Sequence, residues 1–275
     1  IAREVVSHLN WRKEGNKPLH RSEEPINQIE DLLGLVDPDL KRPFDVKEVI
    51  SRVVDGSRFE EFKPLFGSTM VCGFASIHGY TVGILGNNGP IFPDTASKGA
   101  HFVQLCNQID VPIIFLQNIT GFVVGKDYEK DGQIKKGAQF LNSVSNSTVP
   151  HLTVILGNSY GAGNYAMSGR AYNPRFMYSW PSAKISVMGG SQAASTLVQI
   201  KLSKMNTQDD KSKEKIYNEI KASYDKQSDP KYAAARLWVD EIIMPTETRK
   251  ILTESLDVVK NEGPIKNAIY GALQV

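Results

Sequence analysis

Apolar residues in this chain fall into short runs that are continuous rather than alternating, and most runs end in a glycine-bearing turn. VPIIFLQN, HLTVILG, RFMYSW and KISVMG are of this kind. A strand apolar on both faces is one covered on both sides, so helices must lie above and below the sheet it joins. Helical spacing appears where that requires it. SKGAHFVQLCNQI leads into VPIIFLQN, KKGAQFLNSVSNS leads into HLTVILG, a third helix opens at Gly161, and a fourth begins near Gly190. Upstream, DVKEVISRVVDG reads as an amphipathic helix closed by Gly56, and VCGFASIHGYTVGILGN as two strands joined at His78 and Gly79. The pattern predicts an α/β fold with largely parallel strands. Residues 209–226, DDKSKEKIYNEIKASYDK, form a charged helix with a solvated or partner-facing surface, and YAAARLWVDEIIMPTETRKILTESLDVV supplies two more helices. Residues 1–44 are polar and punctuated by proline, a connecting segment with one short helix over residues 1–9; residues 45–275 form the domain.

Composition narrows the function classes. The 275 residues are 41% hydrophobic and 23% charged, and the formal net charge is +2, which gives no global electrostatic case for nucleic acid. No apolar run approaches the roughly 18 residues of a membrane span, and the opening IAREVVSHLNWRKEG is too charged for a secretory signal. Cys72 and Cys106 sit in apolar contexts without a C-x-x-C pattern, so they read as small buried hydrophobes, not as a disulfide, a zinc site or nucleophiles. His78 and His101 read as local caps or packing. The chain opens on Ile1 rather than Met, which reads as a fragment or processed product.

The richest stretch is residues 151–170, HLTVILGNSYGAGNYAMSGR, a strand, a turn and a helix. Its G-x-S-x-G at residues 157–161 imitates a nucleophile elbow. That mechanism needs a histidine after the serine, and all five histidines (8, 20, 78, 101 and 151) precede Ser159. Its G-x-G-x-x-A at residues 161–166 imitates a dinucleotide fingerprint. That one needs an acid about 20 residues further on, yet residues 132–208 contain no Asp or Glu at all. Seven Lys and Arg residues do occur there, and most read as solvated. Carboxylate bases, acid pairs and divalent-metal clusters are thereby removed from the region with the best catalytic turns. Main-chain N–H groups at a glycine turn remain, backed by a helix dipole and suited to polarising an oxyanion at Gly161, Ala162 and Gly163. NITGFVVG at residues 118–125 and VMGGSQAA at residues 187–194 repeat the device.

GNNGPIFPDTASKGAHFVQLC, LQNITGFVVGKDYEKDGQIKKGA, ILGNSYGAGNYAMSGRAYNPRFMYSWPSAKISVMGGSQAA and YAAARLWVDEIIMP occur in fixed order. Together they resemble the C-terminal half of the carboxyltransferase (beta) subunits of biotin-dependent acyl-CoA carboxylases, the methylcrotonoyl-CoA type more than the propionyl or acetyl types. The resemblance spans nearly the whole chain and implies a crotonase-like ββα spiral. It implies a reaction in which carboxybiotin, on a partner's carrier domain, releases CO₂, and the biotin ureido oxygen, now an anion, itself deprotonates the acyl-CoA. Ala162 and Gly163 match the backbone pair that polarises the ureido oxygen. Gly121 and Phe122 match the loop lining the biotin pocket, Gly161 belongs to the same turn, and Tyr165 matches a position shaping the acyl pocket. No metal is implied. The implied partners are a biotin carboxylase and biotin carrier subunit, the N-terminal carboxyltransferase half with most coenzyme A contacts, and further copies of the chain, in a bacterial cytoplasm or mitochondrial matrix. This chain alone is then expected to be inactive. The segment WVDEIIMP, residues 238–245, departs from the family's usual WDDGIIDP in its charges and glycine. Two other readings stay open: a biotin-dependent decarboxylase of the glutaconyl-CoA type, and a non-catalytic assembly module with this fold.

Overall fold

A computed structural model describes residues 3–4, 18–35, 37, 40, 42–205 and 210–260. Eight strands form one sheet: β1 (Glu60–Glu61), β2 (Met70–Ile77), β3 (Tyr80–Asn87), β4 (Ile113–Ile119), β5 (His151–Tyr160), β6 (Phe176–Ser179), β7 (Lys184–Ser186) and β8 (Glu241–Ile242). Their order is β1-β2-β3-β4-β5-β6-β8, with β7 pairing the far end of β5. The β1–β2 and β2–β3 pairs are antiparallel and all later pairs are parallel. The helices are α1 (Leu32–Leu35), α2 (Val46–Val53), α3 (Pro93–Gln108), α4 (Lys126–Lys130), α5 (Gln133–Ser145), α6 (Gly161–Ala166), α7 (Gly190–Met205), α8 (Asp210–Gln227), α9 (Pro230–Ala234) and α10 (Thr248–Val259).

The doubly apolar strands serve two cores, as their continuous runs predict. Alternate side chains of a strand point to opposite faces. From β4, Ile114 and Leu116 join Leu152, Val154 and Leu156 of β5 beneath α2 and α10, where Val49, Ile50, Leu252 and Leu256 lie. Ile113 and Phe115 turn the other way, toward Phe102 and Val103 of α3 and Phe140 of α5. Each face is closed by helices, so neither needs polar alternation.

Local chemistry sets the boundaries. Asp45 caps α2, its carboxylate accepting the Lys47 N–H at 3.0 Å. β2 and β3 turn through two residues, His78 at φ +49° and Gly79 at φ +79°, the positive-φ pair that suits a tight hairpin. Buried Asp55 holds that hairpin, accepting the N–H of His78 at 2.9 Å and of Gly79 at 2.8 Å. Arg249 of α10 pairs with the same carboxylate at 2.8 Å. His78 also bonds Ser22 through Nδ1 at 3.0 Å, and His101 packs edge-on against Phe62, the local roles their sequence positions suggest.

Several elements escape the hydrophobic pattern. β1 and β8 are two residues long, written EE and EI, and carry no apolar run. Residues 29–35 form helical turns, with Leu32 fully buried in the first core. The short helix expected over residues 1–9 lies outside the described residues except for Arg3 and Glu4, which are helical. Among the described residues no helix is long and apolar enough to cross a membrane.

Candidate active site

At the C-terminal end of β5 the chain leaves the sheet through Tyr160 and enters α6 at Gly161. Gly161 has φ +55°, a left-handed backbone that a side chain would strain, and a Cβ there would lie 3.0 Å from the Val187 carbonyl oxygen. No side chain caps the helix, so the N–H groups of Gly161, Ala162 and Gly163 have no acceptor within it. Ala162 is exposed, whereas Gly163 is buried. A Cβ on Gly163 would stand 2.6 Å from Cγ1 of Ile119 and 3.2 Å from Cα of Gly121. The two glycine turns therefore touch, backbone to backbone.

The second turn follows β4. Gly121 has φ +133° with open space where a Cβ would be, and its carbonyl accepts the Ile91 N–H at 3.0 Å. Val123 returns an N–H to the Ile91 carbonyl at 3.1 Å, fixing the loop against the segment that leads into α3. Phe122 lies half-buried against Gly137 of α5, where a Cβ would approach its ring to 3.1 Å.

Gly161, Ala162 and Tyr165 line a cleft of about 590 Å³. Ile185 and Val187, from β7 and the third glycine turn, form one wall; Tyr232, Trp238 and Val239 form another. Tyr165 is 45% exposed at the cleft, its ring 5.9 Å from that of Tyr172. Gly121, Gly163 and Phe122 are not among its lining residues. Of the described residues around this cleft, none is Asp, Glu, His, Cys or Lys, and Arg170 is the one cation. Arg170 is spoken for: Nη2 meets Asp240 at 2.9 Å and Nε donates to the Trp238 carbonyl at 2.9 Å. Asp240 also accepts the Met177 N–H at 2.7 Å. Trp238 and Val239, the first two residues of the segment 238–245, thus stand in a wall of the cleft, with Asp240 behind them.

Ser159 is fully buried. Its hydroxyl donates to Oε1 of Gln117 at 2.6 Å and accepts from Nδ2 of Asn164 at 2.7 Å. No histidine bonds it; His151 instead bonds Ser168 through Nδ1 at 2.9 Å and Ser147 through Nε2 at 2.7 Å. Burial pushes the His151 pKa down to about 3, so the ring is neutral. Ser159 is therefore part of the scaffold and not a nucleophile. Both free thiols are buried, and that burial holds Cys72 and Cys106 above the usual thiol range. Among the described residues no group of three His, Cys, Asp or Glu could hold a metal ion.

The sequence reading missed Gln117, Asn164, Arg170, Trp238 and Asp240. For Gln117 a signal existed: a polar residue ends an otherwise apolar buried run, and buried amides require partners. For Asp240, some 70 residues from Arg170, there was none.

Three comparisons bear on this geometry. A family model described as "Carboxyl transferase domain" matches residues 1–267. The methylcrotonoyl-CoA carboxylase beta chain, mitochondrial, of Dictyostelium discoideum is 48% identical over 266 residues, covering 95% of this chain and 45% of that protein. The crystal structure of the Pseudomonas (P. aeruginosa) geranyl-CoA carboxylase beta subunit superposes with a TM-score of 0.83 at 41% identity, covering 98% of this chain and 52% of that one. That of transcarboxylase 12S, with methylmalonyl-coenzyme A and methylmalonic acid bound, gives 0.87 at 29% identity, covering 100% of this chain and 53% of that one. The chain spans about half the length of the curated relatives it matches. The fold is the crotonase-like architecture that the sequence motifs imply.

Proposed function

Because the chain belongs to the carboxyl transferase domain family, we propose that it supplies the biotin-side half of an acyl-CoA carboxylase, where a carboxyl group passes from carboxybiotin to a methylcrotonoyl-CoA-like thioester. The observation that carries this reading is a cleft bordered by Gly161 and Ala162, the first residues of a glycine turn, with no Asp, Glu or His among the described residues of its walls. A reaction whose proton is taken by a protein carboxylate or histidine finds no candidate there. One whose oxygen becomes negative finds N–H groups.

The roles are those the family resemblance implies. Carboxybiotin, carried by a partner, supplies the carboxyl group when bound. Ala162 and Gly163 donate N–H groups to the ligand oxygen on which charge develops, each contributing roughly 3–4 kcal/mol in favourable cases. Gly161 permits the turn, and Gly121 presents a second bare backbone that lets a ring-shaped ligand approach. Phe122 braces that loop against α5, the loop that the resemblance assigns to the biotin pocket. Tyr165 shapes the acyl pocket at the cleft's mouth. The surrounding neutrality favours the reaction, since a carboxylate beside a developing anion would oppose it.

The role requires a biotin carboxylase and carrier subunit, the N-terminal carboxyltransferase half and further copies of the chain. Support comes from the half-length match and from the transcarboxylase 12S core, which assembles as a hexamer. A mitochondrial matrix or bacterial cytoplasm suits it, as the Dictyostelium discoideum relative is mitochondrial.

The test is reverse transfer. A subunit of full family length is given a 3-methylglutaconyl-CoA-type product and free biotin, and carboxylation of biotin is followed. Gly163→Val, whose side chain would strike Ile119 and Gly121, is expected to lower transfer by on the order of 100-fold or more while the protein stays folded. No transfer by the unaltered subunit with any acyl-CoA would overturn the reading.

A further inference from the structure

We infer that Gln117, Ser159 and Asn164 form a directed hydrogen-bond chain that positions the polarising turn, and that the chain works only while every member is uncharged. The inference rests on the proposed transfer reaction and names residues that act through Ala162 and Gly163; Ser159 and Asn164 also border the cleft, whereas Gln117 is not among its lining residues. It starts from one fixed point. The Met167 carbonyl, at the C-terminal end of α6, can only accept, and Nε2 of Gln117 reaches it at 2.6 Å. Gln117 must therefore turn its amide nitrogen toward Met167 and its oxygen toward Ser159. The Ser159 hydroxyl must then donate to Oε1 at 2.6 Å, which leaves its lone pairs to accept Nδ2 of Asn164 at 2.7 Å. Donors run in one direction, from Asn164 through Ser159 and Gln117 to Met167.

These bonds grip both ends of a six-residue helix. Ser159 precedes α6, Asn164 lies within it, and Met167 follows it. Gln117 comes across from β4, so the turn is tied to the strand that also carries the Gly121 loop. Asn164 has no freedom to swing away: its carbonyl accepts the Gly169 N–H at 2.8 Å, and Gly169 packs so closely that a Cβ would lie 1.9 Å from Oδ1. The adjacent Asn118 fills an irregularity in the β4–β5 register, accepting the Asn158 N–H at 3.1 Å. Amides and hydroxyls thus do the work that carboxylates do elsewhere in the molecule. Carboxylates here would break the donor chain, leaving an acceptor facing an acceptor, and set negative charge behind the turn.

Gln117→Glu keeps the shape and tests the charge. Glutamate can donate to Met167 only when protonated, so in a full-length subunit kcat for reverse transfer to free biotin should fall on the order of 10- to 100-fold at pH 8. KM for the acyl-CoA should stay within about twofold of the unaltered enzyme. The variant-to-parent ratio of kcat should climb as pH falls and the carboxyl is protonated. Should Gln117→Glu fail to fold, Asn164→Asp, at a partly exposed position bordering the cleft, carries the same expectation for kcat and its pH dependence but not for KM. A flat ratio across pH, unchanged kcat, or a loss confined to KM would overturn the inference. Absence of transfer in the unaltered subunit would instead overturn the reaction on which it rests.

Discussion

The turn at residues 159–167 and the hairpin lock at Asp55 each bury a set of polar groups, but with opposite chemistry. At the lock, Asp55 is 2% exposed and faces Arg249 at 2.8 Å, with the Val53 and Glu23 carbonyls taking the guanidinium's other N–H groups. At the turn, Gln117 and Ser159 are equally buried and every contact is neutral. The lock holds elements together and faces no ligand, so a compensated ion pair serves it. In the proposed reaction the turn supports donors to a developing negative charge, where a fixed carboxylate would work against them. The difference separates a structural polar cluster from one that serves a site.

Asp55→Ala should break the charged side most severely. It removes the buried partner of Arg249 and leaves the exposed Glu24 carboxylate 3.6 Å from Nε; loss of one partner of a buried pair costs about 3–5 kcal/mol. Chemical denaturation would register the loss, with transfer activity per folded molecule retained; a change below about 1 kcal/mol would mean that the hairpin holds without the ion pair, the two Arg249 bonds to the Val53 and Glu23 carbonyls sufficing for the guanidinium. A smaller effect belongs to the neutral side. His151 has its pKa depressed from 6.5 to about 3, so the unfolded chain takes up a proton first and stability falls as pH drops through that window. Its contribution is fully present above pH 6.5. Between pH 7 and pH 5 the loss should be about 2 kcal/mol, and His151→Gln should show a correspondingly shallower pH dependence; equal slopes would contradict a neutral buried ring. Smallest is Asp45→Ala, which removes an exposed charge from the cap of α2 and should cost about 1 kcal/mol in the same denaturation experiment. A loss as large as that of Asp55→Ala would show that burial is not what separates them.

Much of the fold was legible. Continuous apolar runs at β4 and β5 announced a sheet covered on both faces, and Ile114 and Phe115 do enter different cores. The glycine turn after β5 was legible too, because Gly161 and Gly163 stand where left-handed backbone and close approach demand glycine. β1 and β8 were not, since two-residue strands rich in glutamate have no periodicity to detect.

What the sequence determined by itself is what this region lacks and offers: the stretch from residue 132 to residue 208 has no carboxylates and is interrupted by glycine turns, whose main-chain donors the proposed reaction draws on. What only the tertiary structure decided is how those turns are joined. Gly121 meets Gly163, Gln117 reaches across to Ser159, and Asp240 neutralises Arg170 from about 70 residues away. Composition and spacing act along the chain and can be read there. Contacts between distant segments depend on how strands and helices pack, and one residue's shift in strand register would turn Gln117 to the opposite face of the sheet.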